Sequence, residues 1–184
     1  MFPALRLEVT DRFTAVDRFF GRLSRSQGEL SQTARGLVFV QLYAIHEYTV
    51  VNVVRQATDA VVAHGHKYKN LRPSLLAMFL DPQWRSFQDS PPIKRWDRRL
   101  ALLDQASSKT RLTNPGGAAF PVDGTHFRHT HVELILKVFG VNRALTARRL
   151  HLNRIDEVVN NRNRIAHGVM PISLLELSER QIVI

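Results

Sequence analysis

Residues 30–63 read LSQTARGLVFVQLYAIHEYTVVNVVRQATDAVVA, a long apolar stretch without an interior proline. A β-strand rarely exceeds about ten residues, so a stretch of this length predicts a helix. Its apolar residues form a wide stripe, which favours a central helix largely wrapped by other helices. The stripe contains Val38, Phe39, Leu42, Ile45, Thr49, Val50, Val53, Val54, Ala57 and Val61.

The other periodic segments also predict helices, because apolar residues recur in them every three or four positions. Thr125 is the expected N-cap of the helix that ends before Gly140, and Asp81-Pro82 is expected to close a short helix that Pro73 begins. We interpret 24–28 and 107–123 as loops and 83–92 as irregular. Helices are predicted over 8–25, 73–79, 93–106, 125–139, 145–167 and 173–177. The expectation is an all-α fold, a single-domain helical bundle over residues 1–184.

The composition restricts the chemistry available to this chain. It has 184 residues, a formal charge of +10 and no cysteine, which excludes disulfides, thiolate metal sites and a cysteine nucleophile. There is no signal peptide pattern and no uninterrupted apolar run of about 18 residues, so we expect a cytoplasmic protein that does not engage a membrane. Arginine supplies 21 of the 26 basic residues, and this bias hints at a polyanionic partner such as nucleic acid.

The densest polar cluster, Asn160-Asn161-Arg162-Asn163-Arg164-Ile165-Ala166-His167-Gly168, lies at the end of a predicted helix. Asparagine is a mediocre helix former, so its abundance here suggests a role other than local stability. Imidazole can take a proton from a ribose 2′-hydroxyl, and guanidinium can offset charge on phosphoryl oxygens, without a metal. The plainer alternative is that Arg162 and Arg164 are solvated or pair with Asp156 and Glu157, and that His167 caps the helix.

The spacing of Arg162 and His167 limits what one helix can do with them. Five residues correspond to about 500° of rotation, so the two side chains project about 140° apart and are separated by about 7.5 Å along the axis. Asn163, four residues before His167, shares its face. A composite site formed by a symmetric dimer would bring arginine and histidine together.

The segment around Arg162 and His167 resembles a motif of a known protein family. Arg162-Asn163-Arg164-Ile165-Ala166-His167 is similar to the Arg-x4-His motif of the HEPN superfamily, and the segments 131–140 and 152–159 are similar to the approach to that motif in its stand-alone bacterial MAE-type branch. Residues 42–48, with Glu47, are similar to the early-helix pattern of the same branch.

The resemblance implies a small all-α bundle that acts as a homodimeric, metal-independent endoribonuclease, with no cofactor. It also implies a toxin or antiviral role, with an antitoxin or defence-system partner. Arg162 and His167 match the catalytic pair, and Asn163 matches the polar residue after the arginine. Glu47 is expected to orient Arg162 or Arg164, the plainer alternative being an exposed helix position. Val169 occupies the place of the tyrosine that is nucleotidylated in some HEPN toxins, so that mode of inactivation is unsupported.

Two other clusters contain residue types that can bind a ligand. Basic residues around an indole can hold phosphate and stack an unpaired base, although a solvated helix face with Trp96 in the core is an alternative. The expected RNA-binding residues are Lys94, Arg95, Trp96, Arg98, Arg99, Arg148 and Arg149. The histidines at 126, 129 and 131 lack further ligands at a convincing spacing, so no metal site is predicted.

Two alternative functions remain open on the sequence alone. A catalytically inactive HEPN-like module could bind RNA or a protein in a defence or regulatory complex. A DNA-binding regulator is disfavoured because the chain has no recognisable helix-turn-helix.

Overall fold

The computed structural model describes residues 2–23, 29–115, 127–143, 145 and 149–167, and within them seven α-helices and no β-strand. The seven helices are α1 (Pro3–Leu23), α2 (Glu29–Ala63), α3 (Pro73–Phe79), α4 (Asp81–Gln88), α5 (Arg95–Ser107), α6 (His129–Phe139) and α7 (Arg149–Ala166). Short 3₁₀ turns lie at Tyr68–Asn70 and Pro92–Lys94, and an isolated bridge joins Lys67 to Arg111. The predicted all-α class is confirmed.

The long central helix is confirmed as α2, which runs through both of the compact units into which the chain divides. The first unit draws on the ranges Met1–Val53, His126–Glu133 and Ala144–Ile184. In its core, apolar residues of α1, α2 and α7 pack together. That core contains Val16, Phe20, Val38, Phe39, Leu42, Tyr43, Ile45, Val158 and Val159.

The second unit draws on Val54–Thr125 and Leu134–Arg143. Its core draws on the end of α2, on α3 and α5, on the end of α6 and on the segments beside them. The buried residues there are Tyr68, Met78, Phe79, Leu80 and Leu112. The prediction of one domain over residues 1–184 stays a prediction.

The interpretation of 83–92 as irregular was wrong, because α4 occupies Asp81–Gln88. Pro82 lies in the first turn of α4, where its missing N–H removes no helical hydrogen bond. Asp81 forms an ion pair with Arg85 at 2.8 Å, one turn further on. Asp81-Pro82 therefore starts a helix rather than only closing the one before it.

Other boundaries differ less from the prediction. Gly140 has a φ of 73° and follows α6, as expected of a glycine after a helix end. The described part of α7 runs from Arg149 to Ala166, within the predicted range 145–167. The predicted cap at Thr125, the turn over 24–28 and the helix over 173–177 lie outside the described residues.

One helical segment, Gly36–Ala63, is long and apolar enough to cross a membrane by length and composition. It contains Glu47, Arg55 and Asp59, which is why no uninterrupted apolar run is seen in the sequence. A third of its most apolar window is buried inside the structure. The expectation that the protein does not engage a membrane stays a prediction.

Candidate active site

The predicted catalytic residues lie at the carboxyl end of α7. Arg162 and Asn163 are half-buried in its last turns, and His167 is the exposed residue that directly follows the helix. The backbone N–H of His167 donates to the carbonyl of Asn163 at 2.9 Å, which continues the helical pattern to His167. The imidazole is thus held at a defined helix end with its ring accessible.

Arg162 is held from two sides. Its guanidinium carbon lies 5.0 Å from the centre of the Tyr43 ring on α2, and one of its N–H groups donates to the side-chain oxygen of Asn163 at 3.2 Å. A cation over an aromatic face is attracted by the ring quadrupole, more strongly where water is partly excluded. These contacts restrict where the arginine can point.

Tyr43 is a site residue that the sequence reasoning missed. It is buried, and its hydroxyl donates to Glu47 one turn along α2 at 3.3 Å. Burial first, and then the negative charge of Glu47, raise the pKa of Tyr43 to about 12, although the charge of Arg162 lowers it. The phenol is therefore neutral at pH 7. The sequence places Tyr43 four residues before Glu47, which indicates that the two side chains can meet on one helix face. An aromatic residue in an apolar helix is nevertheless indistinguishable from an ordinary core residue on the sequence alone.

Glu47 is exposed and contacts the arginine only through Tyr43. Among the ion pairs of the described residues, none joins Glu47 to Arg162 or to Arg164, and Arg164 is exposed. The exposure of Glu47 agrees with the plainer alternative, an exposed helix position. Its expected influence on the arginine stays a prediction, now routed through the tyrosine.

A second polar cluster joins the start of α6 to α7. Asp156 accepts from the backbone N–H of His129 at 3.0 Å and pairs with the Nδ1 of the same residue at 2.8 Å. Arg128 donates to the side-chain oxygen of Asn160 at 2.7 Å. Burial raises the pKa of Asp156, but the hydrogen bonds from His129 and the charges of His129 and Arg128 outweigh it, so the net shift is downward.

Two histidines of the 126, 129 and 131 cluster, His129 and His131, make hydrogen bonds in this region. The Nδ1 of His131 accepts from the backbone N–H of Arg128 at 3.2 Å, and His126 lies outside the described residues. Within the described ranges, no group of three or more His, Asp or Glu side chains is arranged to hold a metal ion. Asp156, which the plainer alternative paired with an arginine of the motif, is engaged by His129 instead.

His46 supports the same region from α2. Its Nε2 lies 2.8 Å from the carbonyl of Phe127, and because a carbonyl oxygen only accepts, Nε2 carries the proton. Burial lowers the pKa of His46, although the hydrogen bond to Phe127 and the nearby charges of Glu47 and Asp156 oppose the shift. His46 is therefore a hydrogen-bonded packing residue.

The helical geometry of α7 separates its functional side chains into two faces. At about 100° per residue, Asp156, Asn160, Asn163 and His167 fall within about 60° of one another. Arg162 lies about 140° from His167, on the side that packs against Tyr43. One copy of the chain thus presents the arginine and the histidine of the motif in different directions.

The residues of the motif and its approach match a family model. The MAE_28990-like HEPN model matches residues 13–181, nearly the whole chain. The chain belongs to this MAE-type HEPN family. No curated protein and no solved structure matches the chain.

The predicted RNA-binding residues of this HEPN domain are mostly placed on α5. Residues 91–100 are all exposed, so the alternative that buries Trp96 in the core is wrong. The guanidinium of Arg99 lies 4.9 Å from the centre of the Trp96 ring, and the Nε of Arg95 donates to the carbonyl of Ser90 at 3.2 Å. Lys94 and Arg98 are exposed as well.

Two further predicted contacts lie near the start of α7. Arg149 is exposed in its first turn, and Arg148 lies outside the described residues. The RNA contacts of these residues and of α5 stay predictions.

Proposed function

We propose that this HEPN domain is a metal-independent endoribonuclease that works as a homodimer. The observation that carries the proposal is the Arg162 to His167 motif at the end of α7, in which the arginine is held by Tyr43 and Asn163 and the imidazole is exposed. The match to the HEPN family over most of the chain supports the same assignment.

The reaction we propose needs only groups that these residues supply. His167 removes the proton of a ribose 2′-hydroxyl, and the oxygen attacks the adjacent phosphorus. The bond from phosphorus to the 5′-oxygen breaks, the leaving oxygen takes up a proton, and the products are a 2′,3′-cyclic phosphate and a 5′-hydroxyl. Arg162 stabilises the charge that accumulates on the phosphoryl oxygens, and Asn163 positions the arginine.

Tyr43 suits this chemistry because it is neutral at pH 7. A phenolate beside Arg162 would compete with phosphate for the guanidinium. A tyrosine of ordinary pKa, about 10, is already neutral at pH 7, and the raised pKa of Tyr43, about 12, extends that neutrality to more alkaline pH. The neutral ring face still fixes the guanidinium, and the edge of the guanidinium remains able to donate to phosphoryl oxygens.

The proposal includes a homodimer because Arg162 and His167 lie on different faces of α7 in one copy of the chain. A two-fold axis near the carboxyl ends of two α7 helices would place the Arg162 of one copy near the His167 of the other. In such a site one imidazole can act as the base and the second copy's imidazole as the acid for the leaving oxygen.

The direct test is cleavage of total RNA by the purified protein, with and without EDTA, followed by analysis of the fragment ends. We expect cyclic phosphate ends, activity that survives EDTA, and loss of activity in His167→Ala and Arg162→Ala. Asn153→Ala is the matched control, because Asn153 is exposed on the same helix and belongs to neither cluster.

Full activity in His167→Ala, or activity that EDTA abolishes, would overturn the mechanism. If the intact protein binds RNA without cleaving it, the domain is instead a non-catalytic HEPN module. Circular dichroism on each variant separates loss of chemistry from loss of folding.

We propose further that the nuclease acts in the cytoplasm as a toxin or antiviral effector, restrained by a partner protein. The resemblance of the Arg162 to His167 segment to the motif of HEPN toxins is what supports this role. Expression of the wild type in a bacterial host should arrest growth, and Arg162→Ala should relieve the arrest. Equal growth with both forms would contradict the toxin role while leaving the chemistry open to the RNA assay.

A further inference from the structure

The outward side of α5 and of the turn before it is an apolar stripe on an otherwise charged segment. The stripe consists of Ile93, Trp96, Leu100 and Leu103, whose exposed fractions are 87, 68, 57 and 61%. On another side of the same helix, Leu102 and Ala106 pack against the core of the second unit. The helix therefore already has a buried side, and the stripe is additional to it.

The spacing of the stripe is that of a helix-to-helix seam. Within α5 the steps from Trp96 to Leu100 and Leu103 are four and three residues, the spacing of d, a and d positions in a coiled coil, and Ile93 lies three residues before Trp96 in the 3₁₀ turn Pro92–Lys94. Single exposed apolar residues are common and need no explanation, but four large ones side by side with a polar rim mark an interaction site.

The charges beside the stripe differ between its two flanks. Arg99 lies on one flank, where its guanidinium carbon is 4.9 Å from the centre of the Trp96 ring and 5.1 Å from the centre of the Phe87 ring. Asp97 and Asp104 lie on the other flank, about 80° to 100° around the helix from Trp96. Two carboxylates beside the stripe are unfavourable for a phosphate backbone, so this face suits a protein better than RNA.

The same charges select a partner. In a parallel pair of helices each g position faces the next e position of the other helix, so Arg99 would face Asp104 of a second copy, and the contact would occur twice. An antiparallel pair would place the aspartates of the two copies against each other, which is repulsive. We propose that the α5 stripe binds a second copy of this chain, with the two α5 helices parallel about a two-fold axis.

This interface uses different residues from the α7 pairing of the proposed nuclease. The inference therefore does not rest on the proposed function, and either can fail without the other. A denaturing gel that detects one covalent link through α5 reads only this interface, whatever other contacts the protein makes.

Cysteine trapping tests the arrangement, because the natural chain contains no cysteine and an introduced thiol has no native competitor. Trp96 and Leu103 occupy the d positions of the stripe. Parallel two-fold packing places each d residue opposite the same residue of the second copy, so Trp96→Cys and Leu103→Cys should each form a disulfide-linked dimer on mild oxidation. A disulfide requires Cα atoms about 4.4–6.8 Å apart, so both variants should link at least about tenfold faster than Ala101→Cys. Ala101 is exposed on α5 but lies about 140° from Trp96.

The result also discriminates between helix orientations. Positions 96 and 103 are about 10 Å apart along the axis, and an antiparallel pair cannot place both opposite their own copies. Linking at only one of them would overturn the parallel arrangement, and rates equal to that of Ala101→Cys would overturn the interface. Circular dichroism confirms that each variant is folded before its rate is compared.

Charge reversal provides a second measurement. Arg99→Asp should slow the linking of Leu103→Cys, and adding Asp104→Arg should restore it, because the double change re-creates opposite charges across the axis. A double change that fails to restore the rate would overturn the charge pairing.

The remaining occupant to test is RNA. If Trp96→Ala weakens the binding of a single-stranded RNA oligonucleotide, and neither Trp96→Cys nor Leu103→Cys forms a linked dimer, the face binds RNA and the proposal is wrong.

Discussion

The two hydrogen bonds between Asp156 and His129 predict how much the free energy of unfolding falls when Asp156 is replaced. Asp156 accepts two hydrogen bonds, one from the first backbone N–H of α6 and one from an imidazole, at 3.0 and 2.8 Å. A hydrogen bond to a charged group contributes about 1.5–3 kcal/mol, and an unpaired N–H at a helix start lacks any partner within its own helix. About a quarter of each side chain is exposed, so water replaces part of the loss.

We therefore expect Asp156→Ala to lower the free energy of unfolding by about 2 kcal/mol, less than the sum of two bonds because their contributions overlap. For a protein of this size that corresponds to a fall in Tm of about 4–8 °C. Asp156→Asn retains one acceptor oxygen and should lose about half as much. Urea unfolding followed by circular dichroism at pH 7 measures the difference, with Asn153→Ala expected within about 0.5 kcal/mol of the wild type.

Acid provides an independent check on the same contact. Because the folded-state pKa of Asp156 is lowered, its stabilising contribution is present above the unfolded pKa, about 3.9, and is lost as pH falls through the lower folded value. The difference between wild type and Asp156→Ala should thus shrink below about pH 4. A loss below about 0.5 kcal/mol at neutral pH, or a difference that does not change with acid, would refute the reasoning.

Three further predictions follow from single contacts. Tyr43→Leu should slow RNA cleavage about 2- to 30-fold, because Arg162 loses a contact of about 0.5–2 kcal/mol, whereas Tyr43→Phe should retain most of the rate; initial rates on a fluorogenic RNA measure both. Since burial lowers the pKa of His46, its stabilising contribution is present above about pH 6.5 and is lost as pH falls through the folded value; urea titrations at pH 7 and pH 5 should show a smaller decline for His46→Gln than for wild type. Gly140→Ala should lower Tm and destabilise by about 1–2 kcal/mol, because φ is positive there and a Cβ would meet the guanidinium of Arg72, which donates to the carbonyl of Val138; an unchanged Tm would contradict this.

The helices that were predictable share a strong local pattern. The bounds of α3 match the prediction, and α2 begins only one residue earlier than expected, because Pro73 and the apolar stripe act within their own segments. The helix α4 was missed because it is eight residues long, has a proline in its first turn and has weak intrinsic preference, so contacts with neighbouring elements stabilise it. Local helix propensity does not report stabilisation by contacts with residues that are distant in the sequence.

The candidate site also contains residues that the sequence predicts and one that it does not. Arg162, Asn163 and His167 are neighbours in sequence, so their residue types and the angle between them were readable from a single helix. Tyr43 was not, because it lies on α2 and meets Arg162 only when α2 and α7 pack around Val159 and Phe39.

By itself, the sequence determined the all-α class, the long central helix and the motif at the end of α7, because each follows from short-range periodicity or from adjacent residues. Only the tertiary structure decided which groups surround that motif: the neutral phenol beneath Arg162, the engagement of Asp156 by His129, and the exposure of Trp96. The physical reason is that burial and ionisation depend on packing between distant segments, and packing is a property of the folded chain as a whole.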